Sequence, residues 1–109
     1  MNRPTVVNPT DVLKNSRISL DPDTYQAFVG KKEVHLTTTE FKLLACLLEN
    51  AGTTLSRADL FEHCGMTNPI SGTVRTVDRT INLLRGKLGK AAYLIKTVRG
   101  VGYRLENSD

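Results

Sequence analysis

The residues from Ser71 to Gly89, SGTVRTVDRTINLLRGKLG, carry the clearest periodic pattern of the chain. Apolar side chains recur in this stretch at alternating intervals of three and four residues. They are Val74, Val77, Ile81, Leu84 and Leu88. Because an α-helix has about 3.6 residues per turn, this spacing predicts a helix over about 71–88 with one buried stripe, closed by Gly89.

The face of this helix opposite the stripe is predicted to be basic. At about 100° per residue, the side chains that point outward can be assigned directly. They are Arg75, Thr76, Arg79, Asn82, Leu83 and Gly86. Arg85 and Lys87 lie on the flanks, and Asp78 lies to one side. The helix therefore presents a long cationic surface with few acidic residues.

Two short strands are predicted downstream of this helix, over Tyr93–Val98 and Gly102–Leu105. They are joined by Arg99-Gly100-Val101, where Gly100 and Gly102 supply the backbone freedom that a tight hairpin needs. The sequence therefore predicts a C-terminal hairpin with a basic tip.

Two further helices are predicted upstream. Thr37 and Glu40 have the spacing of a capping box at the start of an apolar helix over about 38–50. Ser56 is a good N-cap for a short helix that reaches about Cys64.

The N-terminal part of the chain predicts an antiparallel meander. Short alternating segments are separated by turn residues, with a further short strand before the second helix. The segments are 12–14, 17–20, 25–29 and 32–36, and then 53–55. Residues 1–10 hold two prolines and no periodicity, which predicts a tail or linker before a single domain over 11–109.

Charge is distributed unevenly along the chain. The net charge is +4, but residues 1–70 hold seven Lys and Arg against eight Asp and Glu, a net charge of −1. Residues 71–109 hold eight against three, a net charge of +5. Such a basic surface favours a polyanionic partner, nucleic acid first and anionic membrane second. A merely solvated basic face is the competing interpretation.

Composition excludes several classes of protein. The 109 residues, 39% hydrophobic and 24% charged, fit one ordinary globular domain without a bilayer-spanning run or a secretory signal. Two cysteines, Cys46 and Cys64, are too few for a disulfide scaffold and favour a reducing cytoplasm. Neither they nor the two histidines have metal-finger spacing, and no nucleophile–base pair predicts an enzyme, so we expect no cofactor.

The order of elements predicts a helix-turn-helix followed by a wing. A helix that is apolar on one side and arginine-rich on the other fits the DNA major groove, which admits one α-helix. Arginine donates paired hydrogen bonds to guanine edges or phosphate, and Arg99 at the hairpin tip would reach the adjacent minor groove. On this hypothesis Arg75, Arg85, Lys87 and Thr97 contact phosphate, whereas Arg79, Asn82 and Leu83 read bases.

Four blocks, in order and with matching spacing, carry a family resemblance. They are LTTTEFKLL at 36–44, SRADL at 56–60, RTVDRTINLLRGKLG at 75–89 and IKTVRGVGYR at 95–104. Together they resemble the effector domain of OmpR/PhoB-type response regulators over about residues 12–106. The resemblance implies an α+β winged helix-turn-helix fold with an N-terminal four-stranded antiparallel sheet, three helices and a C-terminal β-hairpin wing.

The resemblance also implies function. It implies sequence-specific binding of double-stranded promoter DNA for transcriptional regulation, with helix 71–88 in the major groove and wing 93–105 in the minor groove. By position, the DNA-contacting residues of the helix are Arg75, Thr80, Asn82, Leu83 and Arg85. Thr97 and Arg99 match wing contacts, and Tyr103 matches a position that supports them. The loop matching the RNA polymerase contact is Gly65, Met66, Thr67, Asn68, Pro69 and Ile70.

Two departures from the family pattern keep an alternative open. Leu83 and Gly86 stand where the family usually has polar residues, and Leu83 is either a thymine-methyl contact or a surface leucine. The alternative function is a winged-helix protein-interaction module with degenerate DNA recognition.

The resemblance also implies that the full-length protein binds repeated half-sites as a dimer. Because 109 residues leave no room for a receiver domain, we expect the chain to be either cut from a longer protein, which the prolines of the tail favour, or free-standing.

Overall fold

The computed structural model of the protein describes residues 13–14, 17–63 and 74–106. The predicted tail over 1–10, the predicted loop from Gly65 to Ile70, Cys64, and the predicted first turn of the third helix at 71–73 lie outside the described residues. None of the helices in the described ranges has the length and apolar character needed to cross a bilayer.

An N-terminal sheet of four antiparallel strands confirms the predicted meander. Its strands, in spatial order, are β1 (Leu13–Lys14), β2 (Ile18–Asp21), β3 (Gln26–Val29) and β4 (Lys32–Val34). Ile18, Leu20 and Ala27 turn inward and are buried, as the alternation requires. The third strand was predicted to begin at Tyr25, but Tyr25 has a φ of 60° and closes the turn by donating its backbone N–H to the Asp21 carbonyl.

Helix α1 (Thr38–Glu49) begins at the predicted capping box. The Thr37 hydroxyl accepts from the Glu40 backbone N–H at 3.1 Å, and the Glu40 carboxylate accepts from the Thr37 N–H at 2.9 Å. Both bonds satisfy backbone donors that the helix leaves unpaired. Helix α1 is the central core element, and its fully buried leucines are Leu43, Leu44 and Leu47.

Helix α2 (Arg57–His63) follows a two-residue strand, β5 (Leu55–Ser56). Ser56 caps it as predicted: its hydroxyl accepts from the Asp59 backbone N–H, and the Asp59 carboxylate accepts from the Ser56 N–H. Leu60 is completely buried and joins α2 to the core.

Helix α3 (Val74–Leu88) confirms the helix predicted from the apolar spacing of three and four residues. Val77, Ile81, Leu84 and Leu88 are all at most 2% exposed. Gly89, with a φ of +57°, ends the helix, and a 3-10 helix over Gly89–Leu94 follows. The prediction of a strand from Tyr93 was wrong, because three residues per turn bring Ala91 and Leu94 together into the core.

The C-terminal hairpin consists of β6 (Ile95–Val98) and β7 (Gly102–Leu105). The predicted hairpin is present, and β7 also pairs with β5, so the wing belongs to a three-stranded sheet of order β5-β7-β6. Gly100, with a φ of +77°, makes the turn as predicted. The role predicted for Gly102 was wrong. A Cβ atom there would lie 1.9 Å from the Leu55 carbonyl oxygen, so this glycine permits close strand contact instead.

Candidate nucleic-acid interface

The outward face of α3 is exposed along its whole described length. Six residues on it are exposed, and two of them are arginines. They are Arg75, Arg79, Asn82, Leu83, Gly86 and Lys87. Within the described ranges, Arg75 and Arg79 have no ion-pair partner, so their charges face solvent. Thr76 is half-buried at the margin of this face.

The wing supplies a second basic surface. Thr97 and Arg99 are both exposed, and Arg99 has no carboxylate partner in the part of the chain that the structure describes. Lys96 is also exposed, with its Nζ atom 5.7 Å from the centroid of the Tyr93 ring. Lys96 was not among the residues predicted for the site.

Three elements meet at a junction built around Asp78. Its Oδ1 atom accepts hydrogen bonds from the Arg57 Nε atom at 2.7 Å and from the Tyr103 hydroxyl. Arg57 belongs to α2, Asp78 to α3 and Tyr103 to β7, so these bonds fasten both helices to the wing. No pairing between Arg57 and Asp78 was predicted from the sequence.

The hydrogen bonds of the junction set the protonation states of Asp78 and Tyr103. Burial alone would raise the pKa of Asp78, but the hydrogen bonds from Tyr103 and Arg57 outweigh it and lower that pKa. Burial and the Asp78 carboxylate raise the pKa of the Tyr103 hydroxyl. At neutral pH the carboxylate therefore stays ionised and the hydroxyl stays a donor.

Arg85 joins α3 to the other strand of the wing. Its Nη2 atom donates to the Ile95 carbonyl at 2.7 Å and to the Thr97 hydroxyl at 2.9 Å. The Tyr103 ring, only 5% exposed, lies 5.7 Å from the Cζ atom of Arg85 and equally far from that of Arg57. Arg85 thus orients the wing, and the Tyr103 ring lies near both guanidinium groups.

Two residues predicted to contact DNA, Thr80 and Lys87, make polar contacts within the protein. Thr80 is only 7% exposed, and its hydroxyl donates to the Thr76 carbonyl at 2.7 Å. The Lys87 Nζ atom lies 2.6 Å from the Glu40 Oε1 atom, so its charge is used to neutralise a carboxylate that is 3% exposed. The Thr80 hydroxyl is therefore engaged inside the domain, whereas the Lys87 side chain pairs with Glu40 and remains 38% exposed.

The Glu40 carboxylate serves both the α1 cap and Lys87. Burial alone would raise the pKa of Glu40, but the hydrogen bonds from Lys87 and from the Thr37 backbone outweigh it and lower that pKa. The ionised, hydrogen-bonded carboxylate therefore stabilises the fold at pH values above the ordinary glutamate pKa of 4.5. This contribution is lost as the pH falls through the lower pKa that Glu40 has in the folded state.

Replacement of Lys87 by methionine, which keeps the apolar stem, is expected to lower the free energy of unfolding by about 1–2 kcal/mol at pH 7. The loss should shrink as the pH falls through the pKa of Glu40, because a protonated Glu40 no longer needs the ammonium group. Urea denaturation at a series of pH values between 7 and 2.5, followed by circular dichroism, measures both effects. The matched control is Lys90→Met at an exposed position, which should change little. A loss that is the same at every pH would contradict the prediction.

The outward face of α3 and the wing therefore form one surface with several free positive charges. The carboxylate of α3, Asp78, is bound to Arg57 and Tyr103 and does not oppose them. In the described residues there is no group of three or more His, Cys, Asp or Glu side chains that would hold a metal ion. Such a surface is suited to binding a polyanion by charge and by hydrogen-bond donation.

Comparison with known proteins gives consistent results. The family described as "Transcriptional regulatory protein, C terminal" matches residues 31–105. The alkaline phosphatase synthesis transcriptional regulatory protein PhoP of Bacillus subtilis is 32% identical over 97% of this chain and 49% of its own length. The chain thus spans about half the length of this curated relative.

Solved structures agree in fold. The DNA-binding domain of the response regulator AdeR, in complex with an intercistronic region, has a TM-score of 0.76 and 32% identity. The match covers 88% of this chain and 99% of that one. The Thermotoga maritima response regulator DrrB, an OmpR/PhoB homologue, has a TM-score of 0.77 and 29% identity over 89% of this chain and 45% of its own.

Proposed function

Since the chain belongs to the family of C-terminal domains of OmpR/PhoB-type transcriptional regulatory proteins, we propose that it binds promoter DNA sequence-specifically and thereby regulates transcription. The observation that carries this proposal is the exposed face of α3, where Arg75 and Arg79 point outward without a carboxylate partner among the described residues. One helix with such a face fits the width of the major groove.

The proposed contacts divide between helix and wing. Arg75 binds phosphate, and Arg79, Asn82 and Leu83 face the base edges, because these side chains share the exposed face of α3. Arg99, exposed at the wing tip, reaches the adjacent minor groove, where negative potential attracts arginine.

The remaining predicted residues take other places in the proposal. Thr97 is placed next to the DNA backbone, and its hydroxyl accepts a hydrogen bond from Arg85. Thr76 is at the margin, while Thr80 and Tyr103 support the interface from inside, because they are buried and their hydroxyls are already bonded. Lys87 lies at the exposed edge of the interface, paired with Glu40.

The whole regulator is proposed to act with further partners. Dimers on repeated half-sites, and a contact with RNA polymerase through the loop at 65–70, are what the family resemblance suggests. The proposed location is the cytoplasm, where promoter DNA lies and where a reduced cysteine such as Cys46 persists.

Titration of the domain against labelled duplex DNA at two salt concentrations tests the proposal. We expect retarded complexes whose affinity falls steeply as salt rises, because each phosphate contact releases counterions. A duplex obtained by binding-site selection should bind more tightly than a scrambled duplex of equal length. Absence of any complex at low salt would instead favour a protein-interaction module, for which the exposed Leu83 is the supporting observation.

A further inference from the structure

Leu83 is an apolar side chain at the centre of a polar face. It is 52% exposed, on the same side of α3 as Arg79 and Asn82. Two other large exposed apolar residues of the described chain have aromatic contacts: Tyr25 stacks on Phe41, and Tyr93 lies against Lys96. Val101, at the tip of the wing, is exposed to the same extent as Leu83. Because about half of the Leu83 side chain is open to solvent within the outward face of α3, it is available to an external ligand.

The surroundings of Leu83 leave room for close approach. Gly86, one turn further along α3, is exposed, and a Cβ atom added there would meet nothing within 4 Å. Long side chains on a helix lean towards its N-terminus, so Leu83 lies over the turn that carries Arg79. An apolar surface is therefore bordered by a hydrogen-bond donor on one side and by bare backbone on the other.

The charges on the outward face of α3 indicate which class of ligand contacts Leu83. Its free charges are positive, and Asp78 is bound to Arg57 and Tyr103, so the face complements a polyanion. A single leucine on a polar face is too small an apolar area for a stable protein–protein interface, which buries about 800 Å² on each partner. In the major groove of DNA, the apolar group presented by a base edge is the 5-methyl group of thymine.

We propose that Leu83 packs against the 5-methyl group of a thymine and so makes the domain prefer a T·A pair at one position of each bound site. This inference rests on the proposed function and extends it by naming the base that one residue selects. Arg79 and Asn82 read neighbouring base edges by hydrogen bonds, whereas Leu83 reads by apolar contact alone.

Uracil provides a probe that removes only the methyl group. In a duplex obtained by binding-site selection, each thymine is replaced singly by uracil, which keeps every hydrogen-bonding group. Dissociation constants are then measured by fluorescence anisotropy. For the wild-type domain we expect one position per half-site at which uracil weakens binding about fourfold, the equivalent of one buried methyl group.

Leu83→Ala tests whether this residue is responsible. Alanine favours helix, so the fold should persist, and circular dichroism checks that it does. The variant should bind the thymine and uracil duplexes equally at that position. The matched control is Asn82→Ala on the same face, which should weaken binding but keep the fourfold ratio between thymine and uracil.

The outcomes separate this inference from the function on which it rests. Normal duplex binding with no thymine sensitive to uracil would overturn the role of Leu83 and leave the proposed function intact. A fourfold ratio that persists in Leu83→Ala would do the same. Failure of the wild-type domain to bind any duplex would overturn both.

Discussion

Replacement of Gly102 by alanine is expected to lower the free energy of unfolding by about 3 kcal/mol, the upper range for overpacking. The added Cβ atom would lie 1.9 Å from the Leu55 carbonyl oxygen and 2.8 Å from the Ser56 Cα atom. Both atoms belong to the backbone, which cannot turn away as a flexible side chain can. Strands β5 and β7 would have to separate, and the wing would lose its attachment to the rest of the domain.

Urea denaturation followed by circular dichroism measures this loss. The matched control is Gly86→Ala, the same chemical change at an open position of α3. Because alanine favours the helix, that variant should gain about 1 kcal/mol. A Gly102→Ala protein within about 0.5 kcal/mol of the wild type, the range of ordinary surface substitutions, would show that β5 and β7 need not lie so close.

The double variant Arg75→Ala/Arg99→Ala is expected to weaken duplex binding on the order of 10- to 100-fold at 0.1 M salt. Each lost phosphate contact removes about 0.9 from the slope of log affinity against log salt. Arg75 lies on the exposed face of α3 and Arg99 at the wing tip, and neither has an ion-pair partner among the described residues. Loss of both should therefore weaken specific and scrambled duplexes alike.

The double variant Lys31→Ala/Lys32→Ala is the matched control, because it removes the same charge from an exposed turn of the N-terminal sheet. It should leave the salt slope nearly unchanged. Titrations at several salt concentrations, from about 50 to about 300 mM, compare the slopes of log affinity against log salt for the two double variants. Equal slopes for the two double variants would mean that binding follows net charge alone and not the helix and wing.

Local sequence patterns predict those parts of the structure that depend on local physics. The buried stripe of α3 follows from the 3.6-residue period, and the capping box of α1 follows from the three-residue separation of Thr37 and Glu40. The exposed arginines of α3 follow from the same period, because a helix with one buried face must present the other to solvent.

Contacts between distant residues were beyond the reach of sequence patterns. Arg57 and Asp78 are 21 positions apart, and Glu40 and Lys87 are 47 positions apart. A helical wheel places Lys87 on a flank but cannot show that a buried carboxylate of another helix lies beside it. The start of β6 was missed for a related reason, since only the core shows that Ala91 and Leu94 are both buried.

The Asp78 junction makes the helix and the wing a preorganised bivalent ligand. Arg57, Tyr103 and Arg85 fix the separation of the two elements. In the proposed binding mode, insertion of α3 into one groove would therefore hold the wing at a high effective concentration beside the next groove. Two individually weak contacts would then give one high-affinity interaction, because the translational and rotational entropy of association is lost only once. Loosening the junction would therefore weaken binding even though none of its bonds need touch DNA.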